Sequence, residues 1–541
     1  MEFNVADLIS RVAANIPARE AIVCGAQRAS YGQLQQQSQR LAAFLLQHGI
    51  SKGDHVAIYA YNSIEWVEAM LACYQIGAVP ININYRYVEN ELLYIFNDAD
   101  IKAVFYQPQF ADRLAAIRQQ LPLLQLFVHF DDDTGEALPD SHRFADACHA
   151  DPTAVTFPPR SGDDLYVLYT GGTTGMPKGV VWRQHDVIMS LGGGVDMMSQ
   201  QAIASPEIMA DRCIQDNAFY MRSLQMAPLM HGAAQWGLLR ALFEGHTVVM
   251  SDKTSFDADE VWQLAGREKI NTLLVTGDAM AKPMVDALEN GNYDVTSLFV
   301  FASSAAVFSP VLKDRYAELL PNVIIMDNIG SSESGYTGAT VHEKGKAESN
   351  VGGPQVNPGK GTVVLDEDLC LIPAGDPRQG FLAKGGFIPQ AYYKDPEKTA
   401  KTFVTASDGQ RYVIPGDMAR HNADGSITLL GRGSLCINSG GEKIFPEEVE
   451  MAVKAHPDVF DCLVVGTPDE RFGSAVTTLI ELRPGAATPD LAAIHSACEA
   501  HIARYKLPRR LLFVDAIKRS PSGKPDYPWA KQTALDWLAG Q

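Results

Sequence analysis

The sequence predicts an α/β protein of more than one domain, and three observations support this fold class. The chain has 541 residues, more than one hydrophobic core usually supports, and 46% of them are hydrophobic, an ordinary share for packed structure. Helical and strand-like segments alternate along the first part, which is typical of largely parallel sheets. From residue 361 onward the pattern changes to short strands separated by Gly, Pro and Asp. We therefore expect several sheets of different kinds.

The alternation predicts a first α/β subdomain and, after it, a second large sheet. The first subdomain is expected to contain helix 31–49, strand 55–59, helix 65–76, strand 79–83, helix 88–98 and strand 103–106. Later apolar runs predict the strands of the second sheet, at 246–250, 271–276, 298–302 and 322–326.

The last part of the chain predicts two smaller structures. Between 361 and 430, turn pairs such as Asp424-Gly425 favour the hairpins of a small β subdomain. After Arg432 a Gly- and Ser-rich run, which an ordinary linker would also explain, precedes a compact helix–strand–strand–helix–strand sequence of about a hundred residues, a normal domain size. We expect a large N-terminal domain, residues 1–432, of two α/β subdomains plus the β subdomain, and a smaller, mobile α+β C-terminal domain, residues 433–541.

Composition excludes several classes of protein. A formal net charge of −19 argues against nucleic-acid binding, which needs a basic face. The eight cysteines form no C-x-x-C pair and no cluster with histidines, so we expect neither a disulfide framework nor a zinc site, and a cytoplasmic location. The N-terminus has no apolar signal-like region, and charged residues interrupt the longest apolar stretch, 64–83. We therefore expect no membrane span and at most peripheral membrane contact.

The segment 169–179, YTGGTTGMPKG, predicts a binding site for a polyphosphate. Glycines let backbone N–H groups approach a ligand, threonines add hydroxyl donors, and Lys178 adds a positive charge. A Gly/Thr-rich surface turn is the alternative interpretation. The segment does not match the Walker A motif, because Lys178 follows Pro177 and precedes Gly179, whereas that motif requires glycine before its lysine.

The run TGGTTGMPKG at 170–179 resembles the phosphate loop of the adenylate-forming superfamily. Further segments, in the family's order, extend the resemblance to the whole chain: MAPLMHGAAQW at 226–236, IGSSE at 329–333, YVIPGD at 412–417, LLGR at 429–432 and RSPSGK at 519–524. Within the superfamily the chain looks like the acyl-CoA synthetases, the fatty-acid–CoA ligases. Two segments, GSSESG at 330–335 and KGVVWRQHD at 178–186, resemble the subgroup acting on steroid side-chain or long-chain acids.

The resemblance implies catalytic roles for four residues. Lys524 would enter the active site and neutralise charge as a carboxylate attacks the α-phosphate. His231 would close over the acyl group and the phosphate, whereas the histidine taken alone favours a loop or buried residue satisfied by the backbone. Glu333, together with Thr170, would coordinate Mg²⁺, which prefers carboxylate and other oxygen ligands.

The resemblance also implies a larger set of ligand-binding residues, in four groups. The phosphate loop contributes Thr170, Gly171, Gly172, Thr173, Thr174, Gly175 and Lys178, the nucleotide site Ser304, Ala305, Asn328, Ile329, Gly330, Ser331 and Ser332, the ribose site Asp417 and Arg432, and the channel for the thiol arm of CoA Gly440, Gly441 and Glu442. The chain departs from the family pattern at Ile329, which replaces an aromatic residue, at Pro415, which replaces a threonine, and at Ser434 and Leu435, where the hinge residue is commonly Asp or Lys. An apolar set including Met230, Trp236 and Phe301 fits either an acyl pocket or an ordinary core.

The activity that the resemblance implies is AMP-forming acyl-CoA ligation. A carboxylic acid and ATP, with Mg²⁺, give acyl-AMP and pyrophosphate, and the thiol of CoA then displaces AMP. No general base is required, since a carboxylate is already ionised near pH 7. The alternatives are an acyl-AMP ligase that loads a carrier protein, a luciferase-like oxygenase, and a catalytically silent acyl or nucleotide binder. A homodimer is compatible with the resemblance.

Basic residues gather near the C-terminus of this acidic chain. They fit either a contact with CoA phosphates or anionic lipid, or a solvated surface. The residues concerned are Arg504, Lys506, Arg509, Arg510, Lys518, Arg519 and Lys524.

Overall fold

The computed structural model of this chain describes residues 2–172, 175–196, 199–216, 218–304, 306, 308–342, 354–432, 435–439, 442–469, 473–499, 501–502, 504–520 and 523–540. The α-helices within these residues are α1 (Val5–Asn15), α2 (Tyr31–Gln47), α3 (Ile64–Gln75), α4 (Glu89–Asp98), α5 (Ala111–Ile117), α6 (Phe144–Ala147), α7 (Gln184–Leu191), α8 (Pro206–Ala210), α9 (Gly232–Phe243), α10 (Ala258–Arg267), α11 (Gly277–Asn290), α12 (Pro310–Leu319), α13 (Pro396–Thr402), α14 (Pro446–Val453), α15 (Leu491–Cys498) and α16 (Tyr527–Ala539). In this described part, no helix combines the length and the apolar character that crossing a membrane requires.

The strands are short and occur along the whole chain. They are β1 (Glu20–Cys24), β2 (Gln27–Ser30), β3 (His55–Tyr59), β4 (Val79–Asn82), β5 (Ile101–Tyr106), β6 (Leu126–His129), β7 (His142–Arg143), β8 (Leu165–Gly172), β9 (Gly175–Arg183), β10 (Arg222–Gln225), β11 (Thr247–Met250), β12 (Thr272–Val275), β13 (Val300–Ser304), β14 (Ile324–Ser331), β15 (Gly335–Val341), β16 (Gln355–Pro358), β17 (Thr362–Leu365), β18 (Gln379–Gly385), β19 (Ala391–Tyr392), β20 (Phe403–Thr405), β21 (Arg411–Val413), β22 (Asp417–His421), β23 (Ile427–Arg432), β24 (Ile437–Ser439), β25 (Glu442–Ile444), β26 (Val459–Asp469), β27 (Gly473–Leu482) and β28 (Arg510–Phe513).

The chain divides into two compact units. Unit 1 consists of Met1–Val275, Asn290–Phe301 and Phe387–Lys401, and unit 2 of Thr276–Glu289, Ala302–Gly386 and Thr402–Gln541. These units are defined by contacts in the folded chain, whereas the predicted boundary at 432/433 separates two domains that are continuous in sequence. That boundary stays a prediction.

Unit 1 contains the parallel sheets that the alternating pattern predicts. One sheet has the strand order β4-β3-β5-β6-β7, with all its neighbours parallel. All five residues of β3 are buried, as expected for a parallel strand covered on both faces. In a second set of strands, β11 lies parallel between β1 and β10, and β12 pairs with β10. A third, antiparallel set has the order β19-β9-β8.

Unit 2 is dominated by antiparallel pairs. Strands β14 to β16 pair in succession, β16 continues to β23 and β22, and β18 pairs with β17, β21 and β22. This set contains the small β subdomain that the turn-rich sequence predicts. Nearer the C-terminus, β24 and β25 form a hairpin, and β27 lies between antiparallel β26 and parallel β28. The predicted fold class, α/β with several sheets and a smaller α+β part, is confirmed.

The predicted elements also correspond closely to those of the structure, with two informative differences. Helix α2 begins where predicted because Ser30 and Gln33 form a reciprocal capping box. The strand expected at 322–326 instead runs to Ser331, because β15 pairs with its second half, for example Asn328 with Ala339. The strand expected at 298–302 is shifted to β13. Strand ends are less certain in sequence than strand cores, since polar residues can also pair.

Candidate active site

The predicted phosphate loop is a β-hairpin in which both strands extend into the Gly- and Thr-rich segment. The apolar run LYVLY forms the first part of β8, which continues through Thr170 to Gly172. Strand β9 is antiparallel to β8, so that Thr170 pairs with Lys178 and Gly172 with Gly175. The sequence predicts a polar loop from 169 to 179, whereas β8 continues to Gly172 and β9 begins at Gly175. Thr173 and Thr174 lie outside the described residues.

Tyr169 holds the base of this hairpin. Its hydroxyl donates to Asp98 at 2.8 Å, and burial, reinforced by Asp98, raises the pKa of the phenol. Gly179 faces the same ring, and a Cβ there would lie 2.8 Å from Tyr169 Cε2. A side chain at 179 would therefore displace the ring, which accounts for the glycine that ends the motif.

Lys178 is partly exposed and faces an acidic, aromatic surrounding in unit 1. Its Nζ lies 3.6 Å from Asp395 and 6.0 Å from the centre of the Tyr94 ring. Burial lowers the pKa of Lys178, but Tyr94 and the carboxylates of Asp98 and Asp395 more than offset it, so the pKa is raised. The lysine is therefore a cation near neutral pH, as the predicted phosphate contact requires.

Asn82, at the end of β4, joins the hairpin to the segment that carries His231. Its amide nitrogen donates to the carbonyl oxygens of Tyr169 at 2.9 Å and Met230 at 2.6 Å, and its amide oxygen accepts from Tyr169 N at 2.9 Å. Asn82 is 6% exposed. The residues adjoining Thr170 and His231 are thus bound to one buried side chain.

His231 occupies the N-terminal cap position of α9. Its backbone is extended there, its N–H donates to Pro228 O at 2.9 Å, and its carbonyl accepts the first helical bond from Gln235. Gly232 follows it against Leu168 of β8, where a Cβ would lie 2.4 Å from a Leu168 methyl. The two candidate segments of unit 1 therefore pack directly against each other, and His231 itself is half-buried.

The segment IGSSE in unit 2 ends β14 and forms the tight turn into β15. Gly330 has no room for a side chain, since a Cβ would lie 2.3 Å from Gly335 O, and Gly335 itself has φ +65°. The Ser331 hydroxyl bonds to the Ser334 hydroxyl and accepts from its N–H at 3.1 Å. These constraints fix the turn on which the partly exposed Glu333 lies.

The chemistry of this turn fits the magnesium of MgATP. Within the described residues there is no group of three His, Cys, Asp or Glu side chains that could hold a metal ion. Mg²⁺ bound with a nucleotide takes only one or two protein carboxylates, because phosphate oxygens and waters complete its shell. A single carboxylate, such as that of Glu333, would therefore suffice for a bound MgATP.

The predicted ribose pair lies on two neighbouring strands of unit 2, and the predicted nucleotide residues lie on other strands of that unit. Asp417 begins β22 and is directly opposite Arg432, the last residue of β23. Asn328 and Ile329 lie on β14, where Ile329 is partly buried against the core of the β subdomain. Ser304 ends β13, and Ala305 lies outside the described residues.

Lys524 follows a turn near the C-terminus. Gly523, with φ +73°, donates to Ser520 O at 2.8 Å, and Ser520 N donates to Lys524 O at 2.7 Å. Lys524 N in turn donates to the Ser520 hydroxyl. The Lys524 side chain is exposed. Gly440 and Gly441 lie outside the described residues, and Glu442 begins β25.

The candidate residues are divided between the two units. Thr170, Lys178 and His231 belong to unit 1, and Glu333, Asp417, Arg432 and Lys524 to unit 2. Sequence reasoning missed Asn82, whose one available signal is a polar residue ending a buried strand.

Several C-terminal basic residues are paired with acids. The pairs are Arg504 with Glu499, Lys506 with Glu448, Arg510 with Asp469 and Arg519 with Asp461. Of the apolar set, Met230, Trp236 and Phe301 are at most 5% exposed, and Phe301 stacks on Trp262. Packing within unit 1 accounts for Phe301.

Two family models match this chain. The model of the AMP-binding enzyme matches residues 9–387, and the model of the AMP-binding enzyme C-terminal domain matches residues 448–524. Together they include the phosphate-loop hairpin, His231, Glu333 and Lys524.

Similar proteins span nearly the whole chain. A 3-oxocholest-4-en-26-oate–CoA ligase of Rhodococcus rhodochrous is 46% identical, over 99% of this chain and 97% of that protein. A medium/long-chain-fatty-acid–CoA/3-oxocholest-4-en-26-oate–CoA ligase of Mycobacterium tuberculosis is 45% identical, over 98% and 96%.

Solved structures share the fold. The anthranilate CoA ligase AuaEII, in complex with anthranoyl-AMP, has a TM-score of 0.85 at 22% identity and covers 100% of this chain and 98% of its own. ATP-bound MatB from Rhodopseudomonas palustris has a TM-score of 0.79 at 23% identity, with 99% of both chains covered. The fold, the order of the motifs and the full-length similarity lead to one conclusion: this chain belongs to the family of AMP-binding enzymes, the adenylate-forming superfamily.

Proposed function

We propose that this chain is an AMP-forming acyl-CoA ligase that activates a large hydrophobic carboxylic acid, namely a steroid side-chain acid or a medium- to long-chain fatty acid. One observation carries the proposal: the chain is 45–46% identical, over nearly its full length, to ligases named for those acids. The substrate class is taken from these names, and the chemistry below from the residues of this chain.

The first step joins the acid to AMP. A carboxylate oxygen attacks the α-phosphorus of ATP, the bond from that phosphorus to the bridging oxygen breaks, and pyrophosphate leaves with the electron pair. Two anions must approach each other, so fixed positive charges and donors lower the barrier. We assign Lys524 to the reacting α-phosphate, Glu333 and Thr170 to the magnesium of MgATP, and Lys178 with the hairpin donors to the departing phosphates.

The second step transfers the acyl group to CoA. The thiolate sulfur attacks the acyl carbonyl carbon, and the bond to the phosphate oxygen of AMP breaks. We assign Gly440, Gly441 and Glu442 to the passage for the thiol arm, and His231 to the wall beside the acyl group. The pair Asp417 and Arg432 would hold the ribose through both steps, with Ser304, Ala305 and residues 328–332 around the base.

Four further assignments belong to the same proposal. Residues 1–432 and 433–541 form the two domains, which is supported by the separate family match at 448–524. The protein is cytoplasmic, forms a homodimer and contacts membranes peripherally. Light scattering of the purified protein tests the dimer, and co-sedimentation with anionic vesicles tests the membrane contact.

Substrate-dependent release of pyrophosphate tests the activity. The protein is incubated with ATP, Mg²⁺ and acids from acetate to a C27 steroid acid, with and without CoA, and products are identified by mass spectrometry. We expect pyrophosphate and acyl-AMP without CoA, acyl-CoA and AMP with it, and the highest rates with the large acids. Pyrophosphate without any thioester would indicate a carrier-protein loader, and no release with any acid would refute the enzyme proposal.

A further inference from the structure

The turn before Lys524 is held by Arg519, one of the basic residues for which the sequence leaves open an anion contact or a solvated surface. Arg519 Nη1 donates to the carbonyl oxygen of Gly523 at 3.1 Å, and Arg519 also forms an isolated β-bridge with Pro525. The guanidinium therefore binds the backbone one residue before Lys524. Because guanidinium is planar, fixing its other nitrogens also fixes the direction of this bond.

Asp461, on β26, fixes those other nitrogens. Its two carboxylate oxygens accept from Arg519 Nε at 2.7 Å and Nη2 at 2.9 Å, the paired geometry that gives strong and directional hydrogen bonds. The side chains are 14% and 15% exposed. Burial acts to raise the pKa of Asp461, but Lys454 and Arg519 together outweigh it and hold the pKa well below its usual range.

Lys454 extends the network to helix α11. Its Nζ lies 3.0 Å from Asp461 and 3.4 Å from Asp278, in the first turn of α11. One turn further along the helix, Lys282 donates to Phe460 O at 2.9 Å and lies over the Phe460 ring. The network therefore connects the residues beside Asp461 to α11 at two points.

The turn itself contacts the beginning of the same helix. A Cβ at Gly523 would lie 3.2 Å from Thr276 Cγ2 and 3.7 Å from the Ala279 side chain. Gly523 and Asp278 thus both lie at the N-terminal end of α11. The contacts form a closed circuit that runs from α11 through Lys454, Asp461, Arg519 and Gly523 and returns to α11.

We propose that Arg519 and Asp461 are positioning residues for Lys524, which hold its turn against the start of α11 so that the ammonium group is presented in one place for adenylation. This inference rests on the proposed function, since it needs Lys524 to act in that step. A purely stabilising role explains the arrangement less well, because replacing a buried ion pair by apolar residues is often neutral or stabilising. The geometric constraint on the backbone is what such a replacement would lose.

A double-mutant cycle tests the proposal. The variants Arg519→Lys, Lys524→Ala and the double variant are compared for the rate of adenylation, for thioester formation from supplied acyl-AMP, and for melting temperature. Lysine at 519 keeps the charge but cannot bind both Asp461 oxygens and Gly523 O together. We expect Arg519→Lys to lower kcat of adenylation about 10-fold to 100-fold, as a misplacement of about 1 Å does, with little change in KM for ATP and acid.

The decisive expectation concerns the double variant. If Arg519 acts through Lys524, then Arg519→Lys has no further effect on adenylation once Lys524 is alanine. In both backgrounds, thioester formation from acyl-AMP stays within about 2-fold, since Lys524 is not needed for it. Arg315→Lys is the matched control, because Arg315 is another arginine of unit 2 that binds two carboxylates, those of Asp286 and Glu289 on α11.

Each outcome decides between interpretations. Multiplicative losses in the double variant, or parallel losses in both half-reactions, would overturn the positioning role and leave the proposed function intact. Full adenylation by Lys524→Ala would overturn the assignment of Lys524 and the positioning role with it. If Arg519→Lys is unfolded at the assay temperature, Asp461→Asn replaces it in the same cycle, because an amide keeps one acceptor oxygen for the guanidinium.

Discussion

The β8–β9 hairpin in unit 1 and the turn before Lys524 in unit 2 are held by opposite kinds of chemistry. A neutral amide, Asn82, binds the backbone of two segments directly and makes three hydrogen bonds. The turn instead depends on ionised side chains, Arg519, Asp461 and Lys454, in series. The difference teaches where each arrangement fails: loss of the amide leaves buried backbone groups unpaired, whereas loss of one ion leaves its partner as an uncompensated buried charge.

The largest expected effect is that of Lys524→Ala, which separates the catalytic role of the lysine from the role of the residues that hold its turn. Lys524→Ala removes the charge itself and leaves the network around Arg519 in place. We expect adenylation to fall about 10²-fold to 10³-fold, while thioester formation from supplied acyl-AMP is largely kept. Rapid-quench measurement of each half-reaction checks this, with Lys253→Ala, an exposed lysine of unit 1, as control. Equal losses in the two half-reactions would contradict a role confined to the first.

The second prediction concerns the hydrogen bonds of the neutral amide Asn82. Asn82→Ala leaves the amide N–H and carbonyl of Tyr169 and the carbonyl of Met230 without their partner, at a cost of about 1–3 kcal/mol for each group that stays buried and unpaired. We expect the melting temperature to fall by several degrees and kcat of adenylation to fall about 10-fold. Calorimetry and pyrophosphate release measure the two.

Asn84→Ala provides the matched control for Asn82→Ala. Asn84 is two residues further along, and its side chain accepts from the N–H of Arg86 at an exposed site. We expect close to normal stability and activity. If the two variants had the same melting temperature and activity, the hydrogen bonds of Asn82 would contribute to neither stability nor adenylation.

The smallest expected effect is a pH dependence of stability that arises from the buried charge of Lys282 in unit 2. Burial, and secondarily Arg483, lowers the pKa of Lys282 to about 8, while Asp286, Asp461 and Asp278 act in the opposite direction. Since the folded value lies below the ordinary 10.5, the cost of burying the charge is fully present below pH 8. That cost disappears as the pH rises towards the value of the unfolded chain.

Lys282→Met therefore gains stability over the unmodified protein at pH 7.5, and we expect this advantage to shrink by a few degrees of melting temperature at pH 9.5. Lys401→Met, at an exposed position of α13, should show no such change. Asn82→Ala should also show none, because no ionisable side chain is removed. A pH-independent difference for Lys282→Met would show that the lysine is not buried as a charge.

The sequence was sufficient for the fold class and for the order of the candidate residues. Apolar runs such as HVAIY predict buried strands on their own, and the motifs are local in sequence. The supporting residues are not local. Asn82 is 87 residues from Tyr169 and 148 from Met230, and no periodicity relates a strand end to distant carbonyls. The sequence predicts a loop over the whole of 169–179, because glycine and hydroxyl residues are common in turns.

Arg519 illustrates the same limit on the ionic side. Its neighbours in sequence are basic or polar, so it was grouped with a charged surface, while its partner Asp461 lies 58 residues earlier on β26. Only the pairing of β26 with β27, and the return of the chain past β28, brings the two together. Burial and pairing of a charge are properties of the folded chain, which composition alone does not report.

The burial of the Asp461 network has a consequence for ionic strength. Its charged side chains are 10–15% exposed, whereas those of an outer pair such as Arg11 and Asp211 are 46% and 31% exposed. Dissolved ions screen exposed charges over about 8 Å at physiological salt, but they screen buried and partly buried pairs much less. The attachment of the Lys524 turn is therefore less sensitive to salt concentration than the attraction between the exposed lysine and a soluble anion.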